Sequence, residues 1–360
     1  MPQPHVLLSA LADEAAFHLT AVEQFSALAA IGLEYYSLRF IDVGKGVKNV
    51  MKLTLSEIQK IRHLEDEYGL NVASIASPIG KVKLLDVADG TKNTYVPFKQ
   101  YLAKDVAKAC ELAHAFETKL IRGFSFYPPK DDRPEDHLEQ TVDQLGKIAE
   151  ACHRSDLTFG LEVEANLVGR SGQLLAEIHR RVNHPALMLV FDAANLVCQG
   201  YSTAQVWKEW EAMKPGLGWV HIKDYQRGKN YQRVNNAEGH QRVKNAEGEQ
   251  RVKNAKRGGH VDEDALANFV PADLGASGHE RILADLRGML PALTKKLERR
   301  GIPGVFLDLE PHVRGGGQFG GTSGPDGMGI ALRGLCRVLD KSKVAYHLRD
   351  FDDLRAARGL

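Results

Sequence analysis

An excess of charge of either sign is what this sequence most clearly lacks: 47 Lys and Arg stand against 46 Asp and Glu, a formal net charge of +1. So balanced a chain has no overall field with which to hold nucleic acid or an anionic membrane surface. Neither is expected as a partner, and a small molecule is. Cysteine is scarce too. Cys110, Cys152, Cys198 and Cys336 lie far apart, with no C-x-x-C pair, and read as buried thiols of a reduced cytosolic protein. No uninterrupted apolar stretch approaches the length that spans a bilayer. The segment Met1 to Glu14 has no positive charge ahead of its short apolar run, so no signal peptide is expected and the expected location is cytoplasmic. What is present, 43% hydrophobic and 26% charged residues over 360 positions, belongs to a globular chain and excludes disordered, collagen-like and coiled-coil readings.

Short apolar segments alternate with helix-like ones. The pattern predicts eight strands, near His5–Leu11, Leu33–Phe40, Asn71–Ser77, Leu120–Tyr127, Thr158–Ala165, Leu187–Ala193, Trp219–Asp224 and Val305–Pro311. Apolar residues at helical spacing fill Phe17–Ala30, Ser56–Glu67, Phe98–Ala115, Asp136–His153, Gly172–Arg181, Ala204–Met213, Arg281–Arg299 and Met328–Leu339. Eight strand–helix alternations fit a closed (β/α)8 TIM barrel, a single α/β domain over residues 1–360. An open doubly wound sheet fits less well, because the G-x-G-x-x-G turn that would follow its first strand is missing.

One segment breaks the rhythm. Within residues 226–264, after the seventh strand, Gln-Arg-Val recurs at Gln232, Gln241 and Gln250, each time followed by Asn-Asn-Ala or Lys-Asn-Ala. A polar repeat with one valine per unit cannot bury a core of its own, so it reads as an insertion loop in the barrel, net +6 from Arg227 to Arg257. Two readings stand side by side: a duplicated surface loop without chemistry, or a basic flap over the catalytic mouth.

In such a barrel the reacting groups come from the carboxyl ends of the strands. Four late strands end in polar residues: Glu162 with Glu164 beyond it, Asp192, His221 with Lys223 and Asp224, and Glu310 with Pro311 and His312. Any one of these alone reads as a helix cap, a rim carboxylate or a satisfied core histidine. Four together weigh differently, since so many ionisable groups left together without a cation would repel one another at a cost of several kcal/mol. Three carboxylates and an imidazole suit Mn²⁺ first, with Mg²⁺, Co²⁺ or Zn²⁺ also compatible.

The segments Leu161-Glu162-Val163-Glu164, Phe191-Asp192-Ala193-Ala194-Asn195, His221-Ile222-Lys223-Asp224 and Leu309-Glu310-Pro311-His312 resemble the metal-site motifs of the sugar phosphate isomerase/epimerase family, built on a xylose-isomerase-like barrel. Ser77-Pro78-Ile79-Gly80-Lys81 and Arg122-Gly123-Phe124-Ser125-Phe126 resemble further motifs of that family. The resemblance implies that Glu162, Asp192, His221 and Glu310 are metal ligands and that Glu162 and Glu310 double as an acid/base pair. It further implies a divalent-metal-dependent isomerase or epimerase of a sugar or keto-sugar, free or phosphorylated, working through a metal-stabilised cis-enediolate. The alternative on the same barrel is a metal-dependent lyase, dehydrating a keto-inositol or eliminating from a 3-keto-glycoside, with His312 or Lys223 as the acid.

Beyond the ligands, Glu164 is expected to position substrate, Lys223 to bind a hydroxyl or phosphate, and His312 to donate a proton. Asn195 is expected to hydrogen-bond beside Asp192, and Arg39 to meet a substrate oxygen. Ser37 stands where the family pattern has an acidic residue, a departure at the early-strand contact. The glycine-rich run Arg314–Gly321 follows the eighth strand, where such barrels often seat phosphate. An abasic-site endonuclease would bring several histidines to the strand ends, where this chain brings His221 and His312. A binding barrel without activity would be expected to have lost a ligand. Related barrels associate, so a homo-oligomer is expected by analogy.

Overall fold

The protein is represented by a computed structural model, which describes residues 5–226, 261, 266–314 and 322–357. Eight parallel strands form one sheet: β1 (Val6–Ala10), β2 (Tyr35–Leu38), β3 (Asn71–Ala76), β4 (Leu120–Gly123), β5 (Thr158–Glu162), β6 (Leu187–Asp192), β7 (Leu217–Ile222) and β8 (Val305–Leu309). Each pairs with the next strand in the chain from β2 to β8, and β8 pairs back onto β1. A single parallel bridge between Leu11 and Ser37 brings β1 to β2 and closes the ring. The expected (β/α)8 barrel is therefore the observed fold.

Helices cover the outside, and several of them start at side-chain caps. Thr54 and Glu57 form a reciprocal capping box that opens Leu55–Tyr68, and Ser202 with Gln205 does the same for Thr203–Met213. The first helix starts later than its apolar spacing suggests. Phe17 and His18 donate their backbone N–H groups to the Glu23 carboxylate, Leu19 takes a left-handed φ of 59°, and the helix begins at Ala21 behind a Thr20 cap. The stretch Phe98–Ala115 is helical throughout but passes through a π turn at Leu102–Val106. Long amphipathic helices at Leu138–Arg154, His279–Glu298 and Gly324–Ser342 bury their apolar faces. Two α-helices among the described residues lie outside the expected set, Ala193–Cys198 and Phe351–Ala357.

Side chains fill the barrel, as the period-2 alternation of strands requires. The indole of Trp219 on β7 occupies the space beside Gly160 on β5, where a Cβ would lie 1.9 Å from its Cη2. Lower in the interior, Asp308 accepts from Ser9 (2.9 Å) and Ser37 (2.5 Å), so the floor beneath the strand ends is polar. The strand expected to reach Tyr127 stops at Gly123, and Phe126 takes a φ of 68° that no strand accommodates.

The sequence 226–264 falls mostly outside the described residues, as does the glycine run from 315 to 321. The stem of the insertion is described: Asp224–Tyr225 and Phe269–Val270 pair as a two-residue antiparallel ladder. Val261 exchanges two hydrogen bonds with the Asn166 side chain, in the loop after β5, at 2.7 and 2.9 Å. The four thiols are free; Cys110, Cys152 and Cys198 are buried and Cys336 is partly exposed. No helix among the described residues is long and apolar enough to cross a membrane.

Candidate metal centre

The inward-facing parity of β5 to β8 delivers one polar side chain from each carboxyl end to a common point. Glu162, Asp192, His221 and Glu310 are all buried, and each offers one donor atom within 4.8 Å of the others. His221 Nδ1 faces Glu162 Oε1 at 3.3 Å and Glu310 Oε2 at 3.7 Å. Both His221 ring nitrogens and Asp192 Oδ2 are buried without a well-formed hydrogen bond. Orphaned atoms on Asp192 and His221, within a cluster of three carboxylates and an imidazole, fit a divalent cation.

Without a cation, protein charges balance the carboxylates. Lys223 Nζ stands 3.2 Å from Asp192 Oδ2 and 3.3 Å from Glu310 Oε2. Arg39 grips the other oxygen of Glu310 at 2.6 Å while its Nε donates to Asp13 at 2.9 Å. Burial alone would raise the Glu162 carboxyl, but His221 and Arg122 outweigh it and hold the group at about 2. Burial opposes ionisation of Glu310 as well, and Lys223, His221 and Arg39 together keep its pKa well below the ordinary value. Asp192 moves the other way, to about 6, because burial and the neighbouring Glu162 and Glu310 outweigh Lys223. Burial disfavours the imidazolium of His221, yet Glu162 and the carboxylates around it lift its pKa to about 10.

The secondary candidates lie around this point. Asn195 reaches it through the short helix Ala193–Cys198: its backbone N–H donates to Asp192 Oδ1 at 3.1 Å and its amide to Glu162 Oε1 at 3.3 Å. Glu164 is buried and paired with Lys81 at 2.9 Å. The chain turns sharply after Pro311, and His312, at a φ of 50°, sets Nδ1 2.7 Å from Glu14 Oε1 and Nε2 3.8 Å from Glu310 Oε1. Glu14 is itself fixed by the backbone N–H of His312 (2.8 Å) and by the Ser323 hydroxyl (3.1 Å). The Phe269 ring, from the stem of the insertion, meets the His312 ring edge-on with centroids 5.0 Å apart.

Several residues here carried no assignment from the sequence. Asp308 lies one inward position below Glu310, with Oδ2 3.6 Å from His221 Nε2. Its signal was an acidic residue alternating with leucines inside a strand. Asp13 and Glu14 hold Arg39 and His312 from just beyond β1, and nothing in their local pattern marks them. Arg122 and Lys81 stood within quoted motifs; the structure places both on a cleft of about 120 Å³ that opens onto Glu162, Glu164, Lys223 and Glu310.

Comparison with known proteins follows this geometry. Residues 25–337 match the family described as xylose isomerase-like TIM barrel. No curated protein sequence matches the chain. Among solved structures, it is similar to a probable 3-DHS dehydratase from Bacillus anthracis, at 15% identity and a TM-score of 0.56, over 92% of this chain and 98% of that one. A xylose isomerase-like TIM barrel protein from Mycobacterium smegmatis in complex with magnesium is 16% identical over 94% of this chain and 96% of that one, with a TM-score of 0.56. D-psicose 3-epimerase from Clostridium cellulolyticum, solved with D-tagatose, is 12% identical over 94% of this chain and 98% of that one, with a TM-score of 0.51. At these identities the likeness is one of fold.

Proposed function

The chain belongs to the xylose isomerase-like TIM barrel family, and from that membership and the site geometry we propose that it is a divalent-metal-dependent isomerase or epimerase of a sugar or keto-sugar. The observation that carries the reading is the convergence of Glu162, Asp192, His221 and Glu310 at the ends of four neighbouring strands. These four would hold the ion, Mn²⁺ by first preference. When bound, it supplies a Lewis acid that polarises a substrate carbonyl and its neighbouring hydroxyl.

The chain's own residues account for the proton movements. Glu162 and Glu310 approach His221 from β5 and β8, with β6 and β7 between their strands, and so would flank a substrate carbon. Both are held ionised, each ready to accept a proton from a C–H next to a carbonyl. Return of that proton to the neighbouring carbon interconverts aldose and ketose, whereas inversion of the centre requires the opposite carboxylate first to take a proton from water and then deliver it to the other face. Asn195 fixes the Glu162 carboxylate through Oε1, while Arg39 and Lys223 fix that of Glu310. Glu164 and Lys223 line the cleft and would meet substrate hydroxyls.

A second reading, a lyase, draws on His312. Its imidazole is steadied by Glu14, with Nε2 directed towards Glu310 Oε1, and would protonate a departing hydroxyl or alkoxide.

NMR in D₂O separates these readings. Ketoses, aldoses, their phosphates, hexuronates, an inosose and 3-keto-glucosides are incubated with Mn²⁺-loaded protein and with Glu310→Gln. Deuterium entering beside the carbonyl, and lost in the variant, is expected, and the product distinguishes epimer, isomer and eliminated ketone. No exchange with any of these compounds, despite stoichiometric metal, would falsify the proton-transfer reading.

A further inference from the structure

Arg122 is a costly residue to place where it stands. It is 5% exposed, on an inward position of β4, yet among the described residues the guanidinium makes a single long hydrogen bond, Nη1 to the Ser77 carbonyl at 3.4 Å. Its Nε lies 3.3 Å from Glu162 Oε2 without forming a hydrogen bond and is buried without a partner. A guanidinium carries five N–H donors, and a buried one left this unsatisfied is unusual in a packed interior. The nearest carboxylate, Glu162, offers it only Oε2, out of line for a hydrogen bond, and turns Oε1 towards His221.

The surroundings form a built seat. The loop after β3 lies directly on the loop after β4: Phe124 N–H donates to Ile79 O at 2.7 Å, and Gly80, at a φ of 90°, has no room for a Cβ, which would sit 2.0 Å from Phe124 O. That contact brings Lys81 and Arg122 to one aromatic ring, that of Phe124. Lys81 Nζ lies 4.3 Å, and Arg122 Cζ 4.6 Å, from the centroid of the Phe124 ring. Both cations line the same cleft as Glu162 and Glu310. Lys81 is already paired with Glu164, and that neighbouring carboxylate would repel a dianion more than a monoanion. A planar monoanion offers two oxygens to the guanidinium fork.

We propose that Arg122 and Lys81, beside Phe124, form a seat for a carboxylate carried by the substrate, so that the enzyme acts on a sugar acid or keto acid rather than on a neutral sugar. The inference rests on the proposed function for the position of the reacting carbon. It adds a second point of attachment beside the metal, fixing which carbon faces Glu162 and Glu310.

Equilibrium binding to the full chain tests it, by calorimetry with and without Mn²⁺. The probes are D-glucuronate, D-glucose and D-glucose 6-phosphate. Glucuronate is expected to bind roughly 10–100-fold more tightly than glucose, the range for hydrogen bonds to a charged group. Arg122→Met should bring that ratio close to one, Arg122→Lys should restore part of it, and Lys81→Met should lower it independently. The absence of a glucuronate preference, including absence of binding by either sugar, overturns the proposal. So does a preference that survives both Met variants, or a gain for glucose 6-phosphate equal to that for glucuronate. Failure here leaves metal binding and deuterium exchange intact, whereas failure of the isomerase reading abolishes exchange without touching the binding ratio.

Discussion

Replacing Asp308 by asparagine should weaken metal binding while leaving the barrel intact. To ligate a cation through Nδ1, the atom that faces Glu162 and Glu310, His221 must carry its proton on Nε2. Asp308 Oδ2 lies 3.6 Å from that nitrogen, and the Ser9 and Ser37 hydroxyls hold the carboxylate in place. Between full charges at this separation the attraction would be about 5 kcal/mol at an effective dielectric of about 20, a ceiling for a neutral imidazole that presents only part of a charge. Outer partners of metal-bound histidines are typically worth about 10–100-fold in affinity, or roughly 1.4–2.7 kcal/mol.

Asparagine keeps the shape and one oxygen, so the loss reports the charge. Unfolding a chain of 360 residues releases entropy of about 0.8 kcal/mol per kelvin, so metal at about 1,000 times its Kd should raise Tm by about 5 °C. The same concentration should raise Tm of Asp308→Asn by only about 2–4 °C. Asp308 also favours the proton on metal-free His221, though less than Glu162 does, so the deficit should widen as pH rises. Calorimetric titration with Mn²⁺ at several pH values measures it. Equal Kd values for native and variant protein across that range would refute the argument.

Two further outcomes follow from the same interior. His221, with a pKa near 10 in the metal-free state, is protonated at pH 7 but must be neutral as a ligand, so metal uptake should release about one proton and tighten by up to about tenfold per pH unit until that pKa is reached. Titration in buffers of different ionisation enthalpy counts the proton, and metal affinity independent of pH between 6.5 and 9 would count against it. Gly160→Ala drives a methyl into the Trp219 ring, and overpacking of this kind costs about 1–3 kcal/mol. Urea denaturation followed by tryptophan emission should show a lowered midpoint, and an unchanged one would mean that the indole has room to move.

The parts of this molecule legible in its sequence are those encoded by nearest-neighbour chemistry. Glu162, Asp192, His221 and Glu310 stand out because each ends an apolar run, and the period of a strand turns that position inward at the barrel mouth. Thr54 and Glu57 announce a helix start in the same local way. Asp308 was illegible because its partners, Ser9 and Ser37, are some 300 and 270 positions away, and only closure of the ring brings β1 and β2 beside β8. Glu14 is the same case: its bonds to His312 and Ser323 span about 300 positions. The first helix was extended back to Phe17 because apolar spacing continues there, and the Glu23 carboxylate that claims the preceding N–H groups carries no periodic signal. The expectation for residues 226–264, flap or plain loop, concerns sequence that lies largely outside the described residues.

The ladder between Asp224–Tyr225 and Phe269–Val270 makes the length of that sequence a free variable. Once the two ends are clipped together, the barrel senses the number of residues between them through loop closure and through Val261, which Asn166 holds. Shortening the 43 residues from 226 to 268 by one nine-residue unit changes the closure entropy by only about 0.2 kcal/mol. Copies of the repeat can thus be gained or lost at almost no thermodynamic cost to the fold, by slippage in the gene or by deliberate splicing. The stem is a natural socket for grafted sequence, set within one aromatic ring of His312.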